Sequence, residues 1–251
     1  MVKKTISIVV LMLLVIVQSC DKNSKELKIK YADVLEVTVQ PTYGSDILYL
    51  DSVIVTPEGY DMKLTELKFF LQNVNNGSNM LLEDGLFDYR LKGIKALIGL
   101  GTPADFQNLS ANIGVESSVN HLDPSAFNNN CVLNIMNAND MHWGWSSGYI
   151  FVKIEGKVDT IPDGTPLFDH NIAYHVGLDD NVRSFSVSNV NWQKSADHFY
   201  QLPLKFDFEQ FLIGETESIN VKDEDFTHSG SSELLLTQKI ANNFKHSLTP
   251  F

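Results

Sequence analysis

Phe199-Tyr200-Gln201-Leu202-Pro203-Leu204-Lys205-Phe206-Asp207-Phe208 decides the fold class. Leu202, Leu204, Phe206 and Phe208 alternate with Gln201, Lys205 and Asp207, the two-residue period of a strand with one buried and one wetted face. Such strands belong to antiparallel sheets, which cover a core on one side and meet water on the other. The same period recurs through the chain. Residues 28–40 (KIKYADVLEVTVQ) put Ile29, Tyr31, Leu35, Val37 and Val39 on one face, with an irregularity at Ala32-Asp33. Residues 62–74 read as a strand with a bulge, followed by the turn Asn75-Asn76-Gly77-Ser78 and then Met80-Leu81-Leu82. In 149–158 (YIFVKIEGKV), Tyr149, Phe151 and Lys153 oppose Ile150, Val152 and Ile154, so this strand reads as buried on both faces at its start. Residues 172–178 and 182–190 complete the set.

Helical spacing is confined to 231–245, where Leu234, Leu235, Ile240, Ala241 and Phe244 follow Ser and Glu capping candidates. Residues 134–139 form a turn or a short helix. No period of 20 to 50 residues repeats, which argues against a solenoid or propeller. No Pro- or Gly-rich linker divides the chain. The expectation is an all-β domain over 28–247, an antiparallel β-sandwich with one C-terminal helix.

Composition narrows the function. With 19 basic and 31 acidic residues among 251, the net charge is −12, the opposite of a nucleic-acid footprint. A 43% hydrophobic share with 10% aromatics excludes a disordered chain. Residues 1–19 read as a secretory signal, with Lys3 and Lys4 ahead of an apolar run from Ile6 to Val17 too short for an ordinary spanning helix. The run ends Val17-Gln18-Ser19-Cys20, which resembles a bacterial lipobox, so Cys20 is the expected lipidation site and 20–27 a polar tether. This predicts a membrane attachment by lipid, on the outer membrane or facing the periplasm or cell surface. Loss of 1–19 leaves 17 basic and 31 acidic residues, a net charge of −14. Cys131 then has no disulfide partner and reads as a buried, inert thiol, with a soft metal ligand as the other reading.

Motifs for catalysis are missing: there is no GxSxG, HExxH, GxxxxGK[ST] or CxxC. The sequence supports no enzyme, since no nucleophile stands beside a base. Asp223-Glu224-Asp225 reads as a solvated run. Asp179-Asp180-Asn181 suits a calcium loop, though a hairpin turn explains it more simply. The densest stretch is Asn139-Asp140-Met141-His142-Trp143-Gly144-Trp145-Ser146-Ser147-Gly148-Tyr149. Thioether, imidazole and two indoles within it suit a soft metal such as Cu(I). They equally suit a hydrophobic plug at one end of a sandwich.

A resemblance favours the metal. Met141-x-Trp143-x-Trp145-x-x-Gly148-Tyr149-x-Phe151-x-x-x-Glu155-Gly156, followed by Tyr174-His175-x-Gly177, resembles the MbnP-like family of exported proteins associated with methanobactin systems. Gly114 to Asn120 and Leu67 to Val74 resemble two further stretches of that family. The resemblance implies an all-β domain outside the cytoplasm. It also implies a copper site of two histidines and an oxidised tryptophan (kynurenine), made with a diheme cytochrome c peroxidase-like partner. Carried onto this sequence, the candidate copper residues are His175, His142, Trp143, Trp145 and Met141, with His170, His121 and His228 behind them. Asp123, Asp169 and Asn120 are candidates to orient the histidines. The leading expectation is a lipid-anchored, non-catalytic copper-binding protein of the bacterial cell envelope. The alternative is a metal-independent envelope β-sandwich that binds a glycan, a peptide or a surface protein.

Overall fold

The computed structural model describes residues 32–138, 140–144, 147–161 and 163–251. The expected signal at 1–19, Cys20, the tether at 20–27, the start of the 28–40 strand and Trp145 lie outside the described residues. In chain order the strands are β1 (Asp33–Tyr43), β2 (Asp46–Ile47), β3 (Val53–Val55), β4 (Asp61–Asn75), β5 (Met80–Asp88), β6 (Lys95–Gly101) and β7 (Leu109–Ile113). They continue as β8 (His142–Gly144), β9 (Gly148–Asp159), β10 (His170–Gly177), β11 (Arg183–Val187), β12 (Gln193–Ala196), β13 (Phe199–Asp207), β14 (Phe226–Thr227) and β15 (Leu248–Pro250). The helices are α1 (Tyr89–Lys92), α2 (Ser117–Asn120), α3 (Phe208–Ile213) and α4 (Leu234–Ser247).

The strands make two sheets. One runs β12-β13-β1-β2, with β6 on β1 and β15 on β13; the other runs β11-β7-β4-β9-β10-β14, with β3 and β5 on β4 and β8 on β9. This is the expected all-β sandwich with a C-terminal helix. Most pairs are antiparallel, but β1 and β13 run parallel from Val34↔Phe199 to Thr42↔Asp207, and β14 lies parallel to β10. No local pattern links partners so distant in sequence, so these two pairings were not foreseen. Nor is Asp179-Asp180-Asn181 a hairpin: it is a 3-10 turn from which β11 crosses to pair with β7, at the other edge of the sheet.

The side chains of β13 explain the sandwich. Leu202, Leu204 and Phe206 enter the core between the sheets, where Phe206 stacks on Phe244 of α4 at 4.7 Å. Phe69, Phe87, Phe208, Phe211 and Tyr174 complete the aromatic centre, which α3 and α4 close from the side. Inter-sheet burial is the main source of stability, as in any domain of this size.

A second cluster lies on the opposite, outer face of the nine-stranded sheet. In β9, Val152 and Ile154 point into the sandwich while Tyr149 and Phe151 point outward, under a loop carrying Cys131, Leu133, Ala138 and Met141. Both faces of the start of β9 are therefore buried, as its sequence predicts. Residues 134–138 supply turns and no helix, and residue 139 lies outside the described residues. Cys131 is buried in this cluster, at 2% exposure. Gly148 anchors the turn into β9, with φ at +72° and Asn120 Oδ1 only 2.3 Å from where a Cβ would sit. Only glycine fits both the conformation and the space.

Candidate metal centre

Where the outer aromatic cluster ends, the same face of β4, β9 and β10 becomes polar. Register sets Lys68 opposite Lys153 and Lys153 opposite His175, forming one row across three strands. Two residues along each strand, Glu66 stands opposite Glu155. Strand alternation forces these four charged side chains and His175 outward, because Leu67, Ile154 and Tyr174 between them fill the sandwich.

His175 is 9% exposed, and its Nε2 lies 2.8 Å from Glu155 Oε1. Burial is the main reason its imidazole titrates below the ordinary histidine value; Glu155 opposes the shift and His228 adds to it. The neutral ring, with a nitrogen lone pair to offer, is thus the favoured form.

His228 is brought in from a different element. It follows β14, whose parallel pairing with β10 places Thr227 beside Tyr174. Its ring stacks on that of His175, with centroids 4.4 Å apart and planes within 7°. Glu233 fixes the turn: its Oε2 accepts the His228 N–H at 2.7 Å, the Gly230 N–H at 3.3 Å and the Thr227 hydroxyl at 3.2 Å. Burial would raise the Glu233 pKa, but those donors hold it below the usual carboxylate value. Glu233 therefore serves the histidine turn rather than capping α4 with its side chain. Ser229 completes the seam, donating to His175 O at 3.1 Å and accepting from Gly177 N at 2.9 Å.

Trp143 flanks the pair, of which His228 remains exposed. A Cβ on Gly177 would fall 2.4 Å from its Cζ3, so the indole lies directly on the β10 backbone two residues past His175. Its ring centroid is 6.3 Å from His228, and Phe226 packs on the same imidazole at 4.4 Å.

The other candidates are placed elsewhere. Met141 is fully buried in the outer aromatic cluster, where a thioether serves as packing. His142 meets Tyr149 edge-on at 4.7 Å, and burial lowers its pKa. As a strand neighbour of Trp143 it points to the other face. His121 Nε2 lies 3.0 Å from Asp179, which also accepts from Asn120 at 2.8 Å. His170 Nε2 is 3.2 Å from Asp225 without hydrogen-bond geometry. Asp123 caps its own turn through Ser125. In the expected calcium loop the Asp179 carboxylate is engaged as described, and Asn181 donates its amide N–H to Gly177 O at 2.7 Å while its own Oδ1 is buried with no hydrogen-bond partner.

Lys68, Lys153 and Asp140 were not foreseen as part of a site. Lys68 Nζ lies 2.8 Å from Glu66 and 2.8 Å from Asp140, while Lys153 bonds Asp140 and approaches Glu155 to 3.4 Å. Burial works against both ammoniums, yet the bonds to Asp140 and the nearby carboxylates raise both above the usual lysine value. Asp140 correspondingly falls below the usual carboxylate value: burial opposes, and Lys153 and Lys68 prevail. The signal was available, since a lysine inside YIFVKI on a face read as buried demands a counter-charge.

Fold and site together define an all-β sandwich domain with a paired-histidine site beside aromatic side chains on the outer face of one sheet. The MbnP family model matches residues 32–232, a span that contains Trp143, Glu155, His175 and His228, and the chain belongs to that family. Among solved structures, MbnP from Methylosinus trichosporium has a similar fold, with a TM-score of 0.50 and 15% identity over 76% of this chain and 79% of that one. A comparison with curated protein sequences found no match.

Proposed function

We propose that this chain is a non-catalytic copper-binding protein of the bacterial cell envelope, held there by lipid on Cys20 and acting in metal capture or handling. The observation that carries the reading is the stacked pair His175 and His228 beside Trp143.

The donor chemistry fits the metal. Two imidazoles side by side suit copper, and bonds of about 2 Å let one ion bridge nitrogens up to about 4 Å apart once a ring turns out of the stack so that both in-plane lone pairs meet the ion. Among the described residues no group of three His, Cys, Asp or Glu side chains is arranged to hold a metal. That favours a low-coordinate ion such as Cu(I) over a zinc cage of four ligands. His175 and His228 would hold the ion, and the bound copper would supply only a soft, exchangeable cation. Glu155 orients His175, Glu233 holds the His228 turn, and Trp143 and Phe226 pack beside the His228 ring. The family's oxidised tryptophan, made with a diheme cytochrome c peroxidase-like partner, falls on Trp143 in this reading. A mass increment on the Trp143 peptide after co-expression with such a partner tests that point.

Metal analysis after loading with Cu(I) under reducing conditions is the decisive experiment. One equivalent is expected for the wild type, little for His175→Ala or His228→Ala, and one equivalent for His142→Ala. A stoichiometry near zero for the wild type, with no shift of Tm on adding copper, overturns the reading in favour of a metal-independent binding module. Labelling by a fatty acid that is lost in Cys20→Ser tests the anchor.

A further inference from the structure

Asp140 holds no place among the metal donors, yet it meets both lysines, as Glu66 does from β4, and does so from the segment that leads into β8. Its two oxygens are divided between Lys68 and Lys153. Lys153 reaches Glu155 at 3.4 Å, and Glu155 holds His175 Nε2 at 2.8 Å. His175 stacks on His228, His228 faces Trp143, and Trp143 lies three residues along the chain from Asp140. The chain of contacts closes on itself.

The arrangement is energetically unfavourable as mere packing. Lys68 and Lys153 stand directly opposite on neighbouring strands, where like charges destabilise a sheet, and their side chains are only 7% and 8% exposed. Buried ion networks generally give no more stability than apolar side chains of similar volume. Asp140 itself sits at φ +59°, a conformation that costs most residues other than glycine. A face needing only cover would continue the neighbouring aromatic cluster of Phe70, Tyr149 and Phe151.

We propose that Asp140 is the positioning residue of the histidine pair. By drawing both lysines to one carboxylate, it fixes where β8 lays Trp143 and which way Glu155 turns His175. This inference rests on the copper reading of the site. With the Nε2 hydrogen donated to Glu155, Nδ1 is the nitrogen left to bind, and a carboxylate behind a ligand histidine selects such a tautomer. Release of Asp140 leaves Lys153 to Glu66 and Glu155, and the tautomer and the indole position are lost together.

The test uses the full chain in detergent, as wild type, Asp140→Asn and Asp140→Glu. Asn tolerates positive φ, so the first variant removes the charge and spares the backbone. In the apo-protein, nitrogen NMR of the histidine rings is expected to show one His175 tautomer in wild type and a mixture in Asp140→Asn. The Trp143 ring-current shift on His228 should shrink in the same variant, and Asp140→Glu should restore both. Cu(I) affinity in a competition titration should fall about 10–100-fold in Asp140→Asn with little change in Tm. An unchanged tautomer and ring-current shift overturn the proposal whatever the affinity does. If no variant, wild type included, binds Cu(I), the copper reading fails while the apo spectra still decide the role of Asp140. Should Asp140→Asn not fold, Lys153→Met breaks the same link and is read in the same way.

Discussion

Gly177 and Trp143 touch so closely that a single methyl group cannot be placed between them. A Cβ at position 177 would lie 2.4 Å from Trp143 Cζ3 and 2.7 Å from the Tyr149 carbonyl oxygen. The indole can swing away, but the β9 backbone cannot. Gly177→Ala is therefore expected to destabilise the fold by about 1–3 kcal/mol through overpacking. It should also expel Trp143 from its seat beside the histidines. Urea denaturation reads the first effect; a red-shifted tryptophan emission in the folded state reads the second. A variant as stable as wild type with an unchanged spectrum would show that the indole does not rest on Gly177.

Asp84 gives a pH dependence of unusual sign. Burial above all pushes its pKa from 3.8 to about 6; Gln72 opposes this with a 2.5 Å hydrogen bond, and Glu83 and Glu116 reinforce it. An acid whose folded pKa lies above its unfolded one binds more protons in the folded state between those values. Stability contributed by Asp84 is thus present at low pH and lost as pH rises through about 6. Asp84→Asn keeps an oxygen to accept from Gln72 and never ionises. It should stabilise the protein by about 1–3 kcal/mol at pH 7.5, with the advantage vanishing near pH 4. Urea midpoints of both proteins across that range check it, and a constant difference at every pH would refute it.

How much of this was visible beforehand follows from the range of each interaction. Alternation in 199–208 and 149–158 exposed the strands, because period two is a local property of the chain. The parallel pairing of Val34 with Phe199 was invisible, since nothing near either residue encodes the other. His175 was marked by its resemblance to a family motif, whereas His228 ranked low because a histidine in a polar turn resembles any solvated one. Only the parallel β10–β14 pairing makes it a neighbour of His175. Met141 and His142 are adjacent to Trp143 in sequence, yet alternation turns His142 away from it, and Met141, just ahead of β8, is taken into the outer aromatic cluster. Lys153 was read correctly as sharing a face with Phe151, but its counter-charges on β4 and the 140 loop come from elsewhere in the chain.

Phe244 tests whether α4 is structural cement or an appendage. Its ring is fully buried, stacks on Phe206 at 4.7 Å and meets Phe69 edge-on at 5.0 Å, so one helix residue touches strands of both sheets. Phe244→Ala should cost about 3–5 kcal/mol, the range for emptying an aromatic site in a packed core. Solvent-exposed Leu235, at 84% exposure, is the internal control: Leu235→Ala should change stability by less than about 0.5 kcal/mol. Equal losses in the two variants would mean that α4 does not close the sandwich as described.

Asn120 and Asp179 decide the last question, whether the 179–181 turn binds calcium or is sealed from within. Asn120 is fully buried; its amide donates to Asp179 at 2.8 Å and its carbonyl oxygen accepts the Tyr149 N–H at 2.8 Å. It ties the turn after β10 to the first residues of β9, beside the loop that carries Trp143. His121 occupies the same Asp179 carboxylate. A calcium ion needs six to eight oxygens and would have to break these bonds to gain them. Millimolar calcium is therefore expected to leave Tm unchanged, since a ligand that does not bind the native state cannot stabilise it. Asn120→Ala strands a buried N–H at Tyr149 and removes a donor from Asp179, for an expected loss of about 1–3 kcal/mol. A rise in Tm with calcium in the wild type that disappears in Asp179→Asn would reverse the assignment, making Asn120 and His121 placeholders for an ion rather than the lock.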